Sequence, residues 1–125
     1  MGKFVIEGGK RLCGKIKAER AKNSVLPIIA ASLLTEEEVV IRDCPDIADV
    51  KNMLAIVGDL GVNYRIESDN LILKNDGLKK SSVSQELSRK LRSSVLLAGA
   101  LVAGRRRAEI AFPGGCRIGK RPVDM

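Results

Sequence analysis

Helical and strand patterns alternate along this chain of 125 residues and predict an α/β fold made of repeated helix-strand-helix-strand-strand units. Three observations carry that expectation. Apolar residues make up 45% of the chain, and with two Phe, one Tyr and no Trp the core must be aliphatic. Apolar runs of helical length alternate with short β-branched triplets. Val39-Val40-Ile41…Cys44-Pro45…Asp49-Val50 is also echoed by Ala108-Glu109-Ile110…Cys116…Pro122…Asp124-Met125, so one pattern occurs twice.

In chain order, Phe4-Val5-Ile6 and Leu12 to Ile16 predict two short strands joined at Gly8-Gly9. The apolar run Val25 to Leu34 follows Lys22-Asn23-Ser24. Asn23 or Ser24 suits an N-cap and Pro27 suits an early helical position, so a helix over 24–34 is expected. Val39-Val40-Ile41 reads as a short buried strand. Ile47, Val50, Met53, Leu54 and Val57 recur at helical spacing, predicting a helix over 47–60 with Gly61 as its C′ residue. Residues 62–67 and 71–73 alternate around Ser68-Asp69-Asn70, a hairpin pattern. Residues 79–85 read as polar linker, 88–102 as one long apolar helix, and 108–112 as a further strand.

The charge balance excludes some functions. Lys and Arg number 22 against 15 acidic residues, for a net +7. Nucleic-acid binding normally adds stacking aromatics or a reading helix, and neither pattern is present, so no nucleic-acid partner is expected. No apolar run reaches the roughly 18 residues a membrane span needs, so no membrane role is expected either. The amino-terminal residues lack a signal-peptide pattern. Three cysteines at 13, 44 and 116, without any histidine, do not make a zinc site. The expectation is a reduced, cytoplasmic chain with free thiols, no metal and no cofactor. Its basic residues gather beside glycines and helix starts, as a phosphorylated metabolite requires.

The densest chemistry lies at 113–124, Pro-Gly-Gly-Cys-Arg-Ile-Gly-Lys-Arg-Pro-Val-Asp. Arg117, Lys120 and Arg121 surround Cys116, and nearby cations favour the reactive thiolate. The same cations, with backbone N–H groups opened by the glycines, also suit an anion. Taken locally, Cys116 is either such a thiol or a small buried hydrophobe; Cys13 and Cys44 need only the second reading. Lys22-Asn23 is either an ordinary exposed lysine beside a cap or an ammonium aimed at an anion on a helix amino end. Arg89, Lys90 and Arg92 are placed by the long-helix reading at a helix start, where cations oppose the macrodipole and an anion would compensate. Arg105-Arg106-Arg107 follow the end of that helix, where cations are favourable, and read as structural.

Together these residues resemble the UDP-N-acetylglucosamine 1-carboxyvinyltransferase family, the enolpyruvyl transferases of peptidoglycan synthesis. The likeness runs over Lys3-Phe4, Ala21-Lys22-Asn23…Leu26-Pro27-Ile28, Arg92-Ser93-Ser94 and Pro113 to Asp124. The sister family acting on shikimate 3-phosphate typically has Ser-Lys-Ser at the first position and no cysteine loop. The resemblance implies transfer of enolpyruvate from phosphoenolpyruvate to the 3-hydroxyl of UDP-N-acetylglucosamine, with release of phosphate. It implies phosphoenolpyruvate contacts at Lys22, Asn23 and Arg121. UDP-N-acetylglucosamine contacts are implied at Arg92, Arg121, Pro122, Val123, Asp124 and Met125, and Cys116 is implied as the proton donor to the methylene carbon, open to covalent capture by fosfomycin.

The implied fold is a partial inside-out α/β barrel with helices inside and sheets outside. Residues 1–21 would be strands of a split first domain, and 22–125 the first one and a half units of a second, incomplete at the carboxyl end. Family members are several times longer, so this chain is expected to be inactive alone and to self-associate through exposed apolar surface. The alternative is a non-catalytic truncated paralogue that binds UDP-sugar weakly or serves as an interaction module.

Overall fold

The computed structural model describes residues 2–9, 11, 13–16 and 21–112. Its elements are α1 (Lys22–Ala31), a 3-10 turn (Ser32–Leu34), β1 (Val39–Ile41), α2 (Ala48–Asp59), β2 (Asn63–Glu67) and β3 (Asn70–Lys74). They are followed by β4 (Ser82–Val83), α3 (Gln85–Lys90), a second 3-10 stretch (Arg92–Leu96), α4 (Leu97–Arg105) and β5 (Glu109–Ile110).

From β1 to β3 the first unit forms as its pattern predicts. In α2, Val50, Met53, Leu54 and Val57 are buried at the i, i+3, i+4, i+7 spacing of one helical face. Gly61 takes φ +101°, its N–H donates to Gly58 O at 3.0 Å and the Val62 N–H donates to Val57 O at 3.0 Å. That pair of bonds is a Schellman ending, so Gly61 is the expected C′ residue. The hairpin pairs Glu67 with Asn70, and Ser68 supplies a left-handed turn residue at φ +55°. β3 lies between β1 and β2, antiparallel to both, with Val39 opposite Leu73 and Tyr64 opposite Leu73 on the other side. Leu71 and Leu73 enter the core with Ile29, Leu33, Met53, Val57, Leu60, Leu97 and Leu101. On the opposite face Ile72 is flanked by Val40 and Arg65, and Arg65 pairs with Glu38 and Glu67.

Five expectations are corrected. Phe4 to Ile6 and the described part of 12–16 form no strand, and Phe4, Ile6 and Ile16 are exposed. A strand needs a neighbour's free N–H and C=O groups, and no described strand pairs with these residues. Cys13 is consequently exposed instead of buried, whereas Cys44 packs half-buried against the core.

The first helix starts earlier than expected, with Ala21 as N-cap. Ser24 cannot cap it because its hydroxyl donates back to Ala21 O at 2.9 Å. Pro27 therefore falls in the second turn, where it has no N–H to give the Asn23 carbonyl.

Residues 79–85 are not all linker, since Ser82–Val83 pairs parallel with Glu109–Ile110. The long helix over 88–102 is broken. α3 begins at Gln85 behind Ser84, whose hydroxyl accepts from the Leu87 N–H at 3.3 Å. It ends at Leu91, which turns extended (φ −142°, ψ 115°) while staying buried. Two serines follow, residues whose side chains compete for backbone bonds, and the chain re-enters helix through 3-10 geometry.

Candidate functional site

The boundary shift at α3 changes the electrostatics of the second basic cluster. Arg89 and Lys90 occupy the last turn of α3, the negative end of the macrodipole, where cations are favourable. Lys90 also pairs with Glu86 one turn back at 2.8 Å. Neither residue needs a bound anion to explain it. Arg92 stands apart: it is half-buried and opens the 3-10 stretch after the break. The triple arginine behaves as read, with Arg105 in the last turn of α4, Arg106 left-handed at φ +56°, and Arg107 paired with Glu109.

Lys22 and Asn23 are the first two residues of α1, and Asn23 is exposed. This helix end has no side-chain cap and no acidic residue in its first turn. By contrast, α2 carries Asp49 in its first turn and α3 has both Glu86 and the Ser84 cap. The Ser24 N–H donates to Ala21 O at 3.2 Å, and the preceding first-turn N–H groups have no negative side chain from their own turn.

Tertiary packing sets α1 beside the stretch that Arg92 opens. α1 packs against both the 3-10 stretch and α4. Pro27, Ala30 and Leu34 share a shallow cavity of about 270 Å³ with Leu96, Gly99 and Ala100. Leu33 and Leu34 share another, of about 210 Å³, with Ala103 and Gly104. Low numbers meet low numbers and high meet high, so the two segments run side by side in the same direction. The helix bearing Lys22 and Asn23 and the stretch opened by Arg92 are thus packed neighbours. A third cavity of about 220 Å³ borders the α1 start, lined by Ala21, Ser24, Val25, Arg42, Asp43 and Pro45. Sequence reasoning missed Arg42, a cation at this end; its position just after the β1 triplet was the available signal.

Cys116, Arg121, Pro122, Val123, Asp124 and Met125 lie outside the described residues. Among the described residues no group of His, Cys, Asp and Glu is placed to hold a metal ion. No helix among them is long and apolar enough to cross a membrane.

The fold is an α/β chain of repeated units in which the helix bearing Lys22 and Asn23 packs on the stretch that Arg92 opens. A family model described as EPSP synthase (3-phosphoshikimate 1-carboxyvinyltransferase) matches residues 6–125, and the chain belongs to that family. A UDP-N-acetylglucosamine 1-carboxyvinyltransferase 2 of Caldanaerobacter subterraneus subsp. tengcongensis is 44% identical over all 125 residues, which span 30% of that relative's length. The UDP-N-acetylglucosamine 1-carboxyvinyltransferase of Akkermansia muciniphila is likewise 44% identical over the whole chain, covering 29% of its own. Among solved structures, the enolpyruvyl transferase NikO from Streptomyces tendae superposes with a TM-score of 0.65 at 24% identity. That match covers 76% of this chain and 22% of NikO, and it shows the enolpyruvyl transferase fold. The chain spans about a third of the length of the curated relatives it matches.

Proposed function

We propose that this chain supplies the amino-terminal part of a cytoplasmic UDP-N-acetylglucosamine enolpyruvyl transferase. The reaction moves enolpyruvate from phosphoenolpyruvate to the sugar 3-hydroxyl and releases phosphate. The observation that carries the reading is the 44% identity, over the entire chain, to a relative named for that activity. The packing of α1 on the stretch that Arg92 opens supports it, because both substrates are polyanions.

In this reading Lys22, Asn23 and Arg121 bind phosphoenolpyruvate. Arg92, Arg121 and the backbone of Pro122, Val123, Asp124 and Met125 hold UDP-N-acetylglucosamine. Cys116 gives its proton to the methylene carbon as the sugar 3-hydroxyl oxygen attacks the adjacent carbon and gives up its own proton to a base. The adduct then loses phosphate from that carbon and a proton from the new methyl group, which restores the carbon–carbon double bond. Protonation requires the thiol while neighbouring cations favour the thiolate; bound substrate anions offset those cations and restore the thiol. Residues 1–21 belong to one domain of the whole enzyme and 22–125 to another, so exposed Phe4 and Ile6 take their partners from the rest of that enzyme.

The test is phosphate release. The 125-residue chain alone is expected to give no turnover. A chimera in which it replaces the corresponding segment of the Caldanaerobacter relative is expected to release phosphate only when both substrates are present. A folded chimera without that activity, alongside an active parent, overturns the proposal.

A further inference from the structure

We propose that Ser94 is a positioning residue for Arg92, a role that rests on the ligand site proposed above. Ser94 is completely buried and its Oγ has no hydrogen-bond partner among the described residues. A hydroxyl in that state has given up water and received nothing in exchange, which is rare in folded chains. Its place in the backbone gives it leverage. The Ser94 N–H donates to Leu91 O at 3.2 Å, closing a turn that contains only Arg92 and Ser93 between those two residues. Leu91 is also where the backbone leaves α-helical geometry, and a 3-10 stretch inside a helical run is a form found at hinges.

The turn has two arrangements. In the one described, the Ser94 hydroxyl is left without a partner. In the arrangement that presents Arg92 to an anionic ligand, the turn shifts and the hydroxyl reaches an acceptor. A bond made only in the bound state adds to affinity, and an unpaired hydroxyl in the free state subtracts from stability. Ser94 therefore carries effects of opposite sign on the two quantities. Ser88 is the internal comparison, equally buried and unpartnered among the described residues but placed in α3 ahead of the break.

Thermal unfolding of the wild-type chain, Ser94→Ala and Ser88→Ala, each with and without millimolar UDP-N-acetylglucosamine, reads both quantities at once. Without ligand, both variants are expected to melt above wild type. With ligand, wild type and Ser88→Ala gain the same increment, and Ser94→Ala gains less, by an amount equivalent to about tenfold weaker binding. An equal ligand increment in Ser94→Ala and wild type overturns the role of Ser94 while leaving the ligand site standing. So does a ligand-free Ser94→Ala that melts below wild type, because the hydroxyl is then paired in the free chain. A wild-type chain with no ligand increment overturns the ligand site, and this inference with it.

Discussion

Asn75 Nδ2 donates to the carbonyl oxygen of Leu33 at 2.8 Å, joining the end of β3 to the end of the first 3-10 turn across 42 residues of sequence. The same side chain accepts from the Gly77 N–H at 3.2 Å, so both ends of a buried amide are used. Asn75→Ala leaves the Leu33 carbonyl and the Gly77 amide without these partners. The expected loss is about 2–3 kcal/mol of unfolding free energy, measured by chemical denaturation. A loss below about 0.5 kcal/mol would mean that water replaces both bonds.

Gly61 has two reasons to be glycine. Its φ of +101° is costly for any residue with a Cβ, and a Cβ there would lie 2.7 Å from Lys79 Cγ. Lys79 cannot simply withdraw, because its own N–H donates to Leu60 O at 2.9 Å. Gly61→Ala is expected to cost about 2–3 kcal/mol, of which the backbone conformation accounts for about 1–2 kcal/mol. Removing the Lys79 stem should recover only the steric share. A double-mutant cycle with Lys79→Ala separates the two parts.

Ser84 caps α3 by accepting from the Leu87 N–H. In a helix of six residues one cap is a large share of the local stability. Ser84→Ala is expected to cost about 1 kcal/mol and to speed amide exchange at Leu87. Unchanged exchange at Leu87 would show that the cap does not hold the helix start.

Glu86 titrates below the ordinary glutamate range, first because Lys90 hydrogen-bonds its carboxylate and then through Coulomb attraction to the same ammonium. A carboxylate with a lowered folded-state pKa stabilises above its unfolded value, and the contribution disappears as pH falls through the folded value. The pair is exposed, so salt screens it. An NMR titration should find the Glu86 midpoint lowered in wild type and back in the ordinary range in Lys90→Met. Identical midpoints would contradict the pairing.

The elements legible in the sequence were those settled by local rules. The α2 stripe, its Gly61 ending and the hairpin at Ser68-Asp69 each depend on residues a few positions apart, and each formed as expected. What escaped depended on distant partners. Phe4-Val5-Ile6 has strand composition without a described strand beside it. The apolar run after Leu91 concealed a break, since composition does not show where a buried leucine turns the backbone extended. That break moved Arg89 and Lys90 from the unfavourable end of a helix to the favourable end, reversing the reading of their charge. Lys22 and Arg92 were each visible as candidates. That their elements pack together depends on the side-by-side, same-direction packing of α1 with the 3-10 stretch and α4, which no local pattern encodes.

The central claim is that this chain carries the thiol and anion-binding groups of an enolpyruvyl transfer site. Competitive alkylation tests it most directly, because the three cysteines differ in exposure and in neighbours. Cys13 is exposed, Cys44 is half-buried, and Cys116 sits in sequence among Arg117, Lys120 and Arg121. Exposure alone would make Cys13 react first, whereas cationic activation and a phosphonate-binding surround favour Cys116. The chain is treated with the epoxide fosfomycin and adducts are quantified on each cysteine peptide by mass spectrometry over time. The account predicts modification of Cys116 well ahead of Cys13 and Cys44, slowed by phosphoenolpyruvate. Equal rates at all three thiols, or Cys13 first, would contradict it.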